Sequence, residues 1–161
     1  MPVQNSEVKI SERYALLLKQ VASLVQGEEY AVANLSNLAA VLHHEFKWFW
    51  TGFYLVRGEE LVLGPFQGPV ACTRIAYGKG VCGSAWEQKR SICVADVHAF
   101  PGHIACNASS RSEVVVPVVV NDKVVMVLDV DSEHLDHFSE EDRLGLEAIC
   151  QYIAQEWPTW K

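Results

Sequence analysis

Basic residues are scarce in this chain. Thirteen Lys and Arg stand against twenty Asp and Glu, a net charge of −7. Nucleic acid and anionic membranes both require a basic footprint, which argues against either as the main partner. Long hydrophobic runs are lacking as well. The longest, residues 114–120, contains Pro117 and falls far short of the ~20 residues a membrane helix needs. Residues 1–12 are polar and hold no apolar run of signal-peptide length, so the expected compartment is the cytoplasm, where thiols are kept reduced. No repeat, low-complexity tract or Pro/Gly/Ser-rich linker divides the chain, and its 161 residues are expected to form one domain, 1–161. Among the five cysteines no pair is three positions apart. The knuckles of a structural zinc site are therefore missing, and no metal is expected.

What is present suffices for a core: half the residues are hydrophobic and a fifth charged, which excludes disorder. Tyr14, Leu17, Leu18, Val21 and Leu24 follow helical spacing and stop near Gly27; Leu35, Leu38, Ala39, Leu42 and Phe46 mark a second helix. The period then shortens. Residues 48–56 and 61–66 read as a hairpin about Gly58, residues 70–77 as a further strand, and the glycine-rich 78–83 as a turn into a short helix. Residues 91–97 read as a strand. Residues 114–120 and 124–130 form a hairpin across Asn121-Asp122, and Ser139 with Asp142 caps a closing helix running to about Ile153. Hairpins imply an α+β fold with about six mainly antiparallel strands flanked by helices. Residues 98–112 form a connection too long to be idle.

Three features gather around that connection. The first is sulfur. Cys72 is read in a strand near Arg74, Cys82 at a helix start, and Cys106 in the loop between His103 and Arg111. Thiols at helix N-termini or beside cations ionise more easily, and the thiolate is the nucleophile. Cys93 and Cys150 sit in apolar surroundings and read as buried small hydrophobes. The second feature is acid: by period two, Asp129 and Asp131 share one strand face, with Met126, Leu128 and Val130 on the other. Two adjacent carboxylates call for a cation, and Glu113 begins the neighbouring strand. The third is aromatic. Trp48, Trp50 and Tyr54 share a strand face by parity, and rings there can wall an ammonium or a positively polarised sulfur. A loop thiol, a proton donor, a carboxylate pair and an aromatic wall suit reduction of a small oxidised amino acid. Either Cys72 or Cys82 serves as the second thiol that condenses with a sulfenic acid.

The segments WTGFYL at 50–55, LGPFQGPVAC at 63–72, GKGVCG at 78–83, DVHAFPGHIAC at 96–106, SRSE at 110–113 and LDVDS at 128–132 resemble the free methionine-(R)-sulfoxide reductases. That resemblance spans nearly the whole chain and implies a GAF-like fold and a homodimer. It implies that Cys106 is the thiol attacking the sulfoxide sulfur, and that Cys72 resolves it as a disulfide. Cys82 would be an auxiliary third cysteine. Glu113 would hold and protonate the sulfoxide oxygen, Asp129 and Asp131 would help bind the polar end of the substrate, and Trp50 and Tyr54 would wall the thioether side. The implied electron donor is thioredoxin, renewed by an NADPH-dependent reductase, with no bound cofactor. Burial beside Asp129 and Asp131 is expected to raise the pKa of Glu113, as an acid that must stay protonated requires. A peptide-bound substrate offers an amide where the carboxylates want an ammonium, so selectivity for the free amino acid is expected.

Two other readings use the same residues. A GAF-like module could sense a small ligand without turnover, although 161 residues leave no room for an output domain. A metal-dependent hydrolase would draw on Asp129, Asp131, His103 and Cys106.

Overall fold

The computed structural model describes residues 8–161; residues 1–7 of the expected 1–161 domain lie outside the described residues. Helices α1 (Ile10–Val25) and α2 (Ala31–Phe46) precede the hairpin of β1 (Trp50–Arg57) and β2 (Glu60–Gln67). Then come β3 (Arg74–Ala76), α3 (Gly80–Gln88), β4 (Ile92–Val94), a 3-10 turn (Val97–Ala99), β5 (Ser112–Val120), β6 (Lys123–Ser132) and α4 (Glu140–Glu156). The strands form one sheet in the order β3-β2-β1-β6-β5-β4 with every neighbour antiparallel. The α+β expectation holds.

Strand alternation divides the buried side chains into two layers. Met126, Leu128 and Val130 of β6 join Val114, Val116 and Val118 of β5 beneath α1, α2 and α4. On the other face, Tyr54, Val115 and Val127 pack with Leu61, Val81 and Cys82. Leu128 has no exposed surface, and truncating it to Ala would cost about 2–5 kcal/mol. The β5–β6 turn places Asn121 at φ 50° and Asp122 at φ 64°, the left-handed pair that a two-residue hairpin demands. At the start of α4 the Ser139 side chain accepts from the Asp142 amide and the Asp142 carboxylate accepts from the Ser139 amide, closing both ends of the expected box.

The expected edges are longer than the observed ones. Residues 70–73 do not join β3, because Gly68 at φ 129° and Pro69 turn the chain away. β4 stops at Val94, and Val97 enters the 3-10 turn, with the Asp96 carboxylate accepting from the His98 amide. In α1 the buried residue of the last turn is Val25, while Leu24 is 41% exposed. Trp48 departs from its expected face. It precedes β1, so strand parity does not govern it, and its ring stacks on Phe46 under the helices.

Candidate active site

Cross-strand register assembles the acidic floor. Glu113 of β5 stands opposite Asp131 of β6, and Trp50 of β1 stands opposite Asp131 from the other side. Two positions along β6, Asp129 lies between Gly52 and Val115. All three carboxyl groups thus face the α3 side of the sheet. Glu113 and Asp129 are each only 6% exposed. Gly52 makes room for the wall above them: a Cβ there would meet the Trp50 ring at 2.6 Å and Phe66 Cβ at 2.3 Å.

Electrostatics follow from this crowding. Burial pushes the Glu113 carboxyl well above the usual carboxylate range, and Asp129 and then Asp131 push it further. Burial and Asp129 do the same to Asp131, although the Ser110 hydroxyl, donating to Asp131 Oδ1 at 2.7 Å, opposes the rise. Asp129 is raised by burial, and its Oδ1 is buried without a hydrogen-bond partner. His103 Nε2 stands 3.9 Å from Glu113 Oε2, and burial lowers the pKa of its imidazole. Burial thus favours the neutral form of both the Glu113 carboxyl and the His103 imidazole that faces it.

Two irregular segments form the rim, and a disulfide joins them: Cys72 of the β2–β3 connection is bonded to Cys106 of the long loop, with Cα atoms 5.3 Å apart. The rings of β1 hold the first segment by their polar tips. Tyr54 donates its hydroxyl to the Cys72 carbonyl at 2.8 Å, and Trp50 Nε1 donates to the Pro69 carbonyl at 3.0 Å. Cys106, Cys82, Glu113, Asp129 and Asp131 share one cavity with Trp50 and Tyr54. Cys72 reaches it through the disulfide.

A profile described as a GAF domain matches residues 32–156. "GAF domain-containing protein A" of Dictyostelium discoideum is 50% identical over 143 residues, 88% of this chain and 90% of that protein. The "Free methionine-R-sulfoxide reductase" of Escherichia coli is 44% identical over 146 residues, covering 90% of this chain and 87% of that one. The crystal structure of the free methionine-R-sulfoxide reductase of Neisseria meningitidis, in complex with its substrate, superimposes with a TM-score of 0.92 at 47% identity, over 98% of this chain and 96% of that chain. The chain belongs to the GAF-domain family of free methionine-R-sulfoxide reductases.

In this member of the family three expectations about sulfur change. Cys72 lies in an irregular segment and not in a strand. Cys82 does begin α3, but its thiol is pushed well above its ordinary value. Complete burial and the carboxyls of Asp129, Glu113 and Asp131 outweigh the helix terminus, and Cys82 Sγ stands 3.9 Å from Glu113 Oε1 as a protonated donor. Cys93 is exposed, on an edge strand, and its neighbours on α4 are the charged residues Glu140, Arg143 and Glu147 and not apolar side chains. Cys150 is buried as expected.

The sequence reading passed over Ser110 and Lys79, which also line the cavity. Ser110 is 6% exposed and lies two residues before β5; its place in the SRSE segment was the one signal that pointed to it. Cys82, Glu113 and Asp129 bring donor atoms within 4.8 Å of one another, the group among the described residues able to hold a metal. The His103 and Cys106 expected in a hydrolase metal set are not part of it. No described helix is long and apolar enough to cross a membrane.

Proposed function

We propose that the protein reduces free L-methionine (R)-S-oxide to L-methionine. The observation that carries this reading is the Cys72–Cys106 disulfide at the mouth of a cavity floored by Glu113, Asp129 and Asp131. In the dithiol form the Cys106 thiolate attacks the sulfoxide sulfur while Glu113 gives its proton to the oxygen. A sulfoxide oxygen leaves poorly until protonated, which is why a carboxyl held neutral by burial suits the step. The oxygen passes to Cys106 as a sulfenic acid and methionine departs. Cys72 then displaces water from the sulfenic sulfur and forms the disulfide, so two thiols and one sulfoxide yield one disulfide, one thioether and one water. Cys82, protonated beside Glu113, is the auxiliary thiol.

Asp129 and Asp131 receive the polar end of the substrate, and Trp50 and Tyr54 pack against its thioether side. Thioredoxin, itself reduced by NADPH through its reductase, returns the disulfide to dithiol. The family relationship to the Escherichia coli and Neisseria meningitidis reductases supports substrate and reaction. A homodimer belongs to the same reading, supported by Leu16 and Leu24, apolar side chains that α1 leaves exposed. So does the cytoplasm, whose reducing poise the thiol cycle needs.

The test is turnover of the R and S epimers separately, with thioredoxin, its reductase and NADPH, beside an N-acetylated, amide-capped substrate. NADPH loss with the free R epimer alone supports the whole reading. Absence of turnover with either epimer, Cys106 being reduced, overturns it in favour of a ligand-sensing module.

A further inference from the structure

The cavity floor carries a donor set that the reductive cycle does not use as a set. Cys82, Glu113 and Asp129 each present one donor atom within 4.8 Å of the other two. All three side chains are buried, and all three line the cavity, which gives an ion a way in from the mouth. The separation of Cys82 Sγ from Glu113 Oε1 is 3.9 Å. A zinc ion at ordinary thiolate and carboxylate distances holds sulfur and oxygen roughly 3.5 Å apart, so a few tenths of an ångström of closure seats it.

An independent observation points to the same place. Asp129 is 6% exposed and its Oδ1 is buried without any hydrogen-bond partner. An acceptor left unpaired in a dry site costs about 1–3 kcal/mol, and a cation is the partner that an acceptor-only oxygen takes up most strongly.

We propose that Cys82, Glu113 and Asp129 form a three-donor site for a borderline divalent cation of the zinc type, which enters the cavity and excludes the substrate. One sulfur and two oxygens with a fourth position open to water match tetrahedral zinc. Magnesium and calcium prefer six or more oxygen ligands, and a buried thiol disfavours both. The ion displaces the protons that burial keeps on Glu113 and Cys82, and its two charges offset two of the three negative charges so released, leaving the filled site at −1. The Cys72–Cys106 disulfide uses none of the three donors. The site is therefore complete in the oxidised protein, where those two thiols can bind no metal. Exclusion of substrate rests on the function proposed above; occupation by the ion does not.

The experiment takes the disulfide form of the full chain. It follows Zn2+ uptake by calorimetry and Co2+ uptake by absorbance, because a thiolate ligand gives cobalt a near-ultraviolet charge-transfer band. The expected result is one ion per chain, a thiolate band, and no comparable uptake of Mg2+. The band survives Cys93→Ser and disappears in Cys82→Ser. Asp129→Asn, which serves if Cys82→Ser fails to fold, weakens Zn2+ binding by about tenfold or more. Saturating free methionine (R)-sulfoxide lowers the apparent Zn2+ affinity. Absence of uptake by the folded disulfide form, a band that persists in Cys82→Ser or vanishes in Cys93→Ser, or affinity unmoved in Asp129→Asn overturns the site. Affinity unmoved by the sulfoxide overturns the exclusion. Binding is read without turnover, so failure of the reductase assay and failure of the metal site are seen separately.

Discussion

The Tyr54 hydroxyl donates a 2.8 Å hydrogen bond to the main-chain carbonyl of Cys72. A ring from the central strand β1 thus fixes the backbone of the residue proposed to resolve the sulfenic acid. The neighbouring Trp50 holds Pro69 in the same way, and the two rings lie 5.9 Å apart. The thiol proposed to resolve sits on an irregular segment, and these two bonds tie that segment to the sheet.

Tyr54→Phe removes that bond and keeps the ring. The loss should cost about 1 kcal/mol of stability. Its main effect should fall on disulfide closure: a lower kcat, little change in KM, and a longer-lived sulfenic acid on Cys106. Single-turnover trapping of the sulfenic acid checks this. A raised KM with unchanged closure would mean that Tyr54 acts on the substrate alone.

Glu113→Gln removes the proposed proton donor while keeping the shape of the side chain. The expected loss in kcat is about 10²–10⁴-fold. In the wild type, activity should fall as pH rises through the elevated pKa of Glu113, the group being faced by Cys82, Asp129, Asp131 and His103. The pH profile of kcat reads this directly. An alkaline limb present unchanged in Glu113→Gln would assign it to another group.

Asp129→Asn should stabilise the protein at alkaline pH while weakening activity. Glu113 and Asp131 both owe part of their raised pKa to Asp129. A carboxyl whose pKa is raised on folding contributes stability below its unfolded value, and that contribution is lost as pH rises through the folded value. Removing one of three buried like charges should recover about 1–3 kcal/mol at alkaline pH. The gain should fade as pH falls towards the ordinary carboxylate value of 4.5. Thermal unfolding of both proteins across that range measures it.

How far the sequence reveals this site depends on the kind of information each residue carries. Asp129 and Asp131 were placed on one face by strand parity, and Glu113 beside them by hairpin order, since both are local geometry. The capping pair Ser139 and Asp142 was legible for the same reason. Cys82 was not: its place at a helix start was visible, but the burial among carboxyls that sets its protonation arises from α3 packing onto β5 and β6. Cys93 was misjudged because an apolar strand reads the same at the centre of a sheet as at its edge. Trp48 was misplaced because parity holds only inside a strand, and β1 begins two residues later. The hydrogen bonds of Ser110, Tyr54 and Trp50 join segments distant in sequence and leave no local pattern.

Gly52→Ala should damage both stability and substrate binding. A Cβ at position 52 would lie 2.3 Å from Phe66 Cβ and 2.6 Å from the Trp50 ring. Phe66 Cβ is fixed to the backbone of the partner strand, where it pairs with Gly52, so it cannot swing aside. Trp50 must move instead, and its Nε1 bond to the Pro69 carbonyl moves with it. Overpacking of this kind costs about 1–3 kcal/mol. The displaced ring should also raise KM and shift the tryptophan fluorescence. Gly64→Ala offers the comparison, since its closest contact is Leu55 Cδ1 at 2.3 Å, the far end of a flexible side chain, with the Phe53 carbonyl at 3.1 Å. Gly64→Ala should lose less stability and leave KM near the wild-type value. Equal effects of the two substitutions on KM would show that room for the Trp50 ring is not what Gly52 supplies.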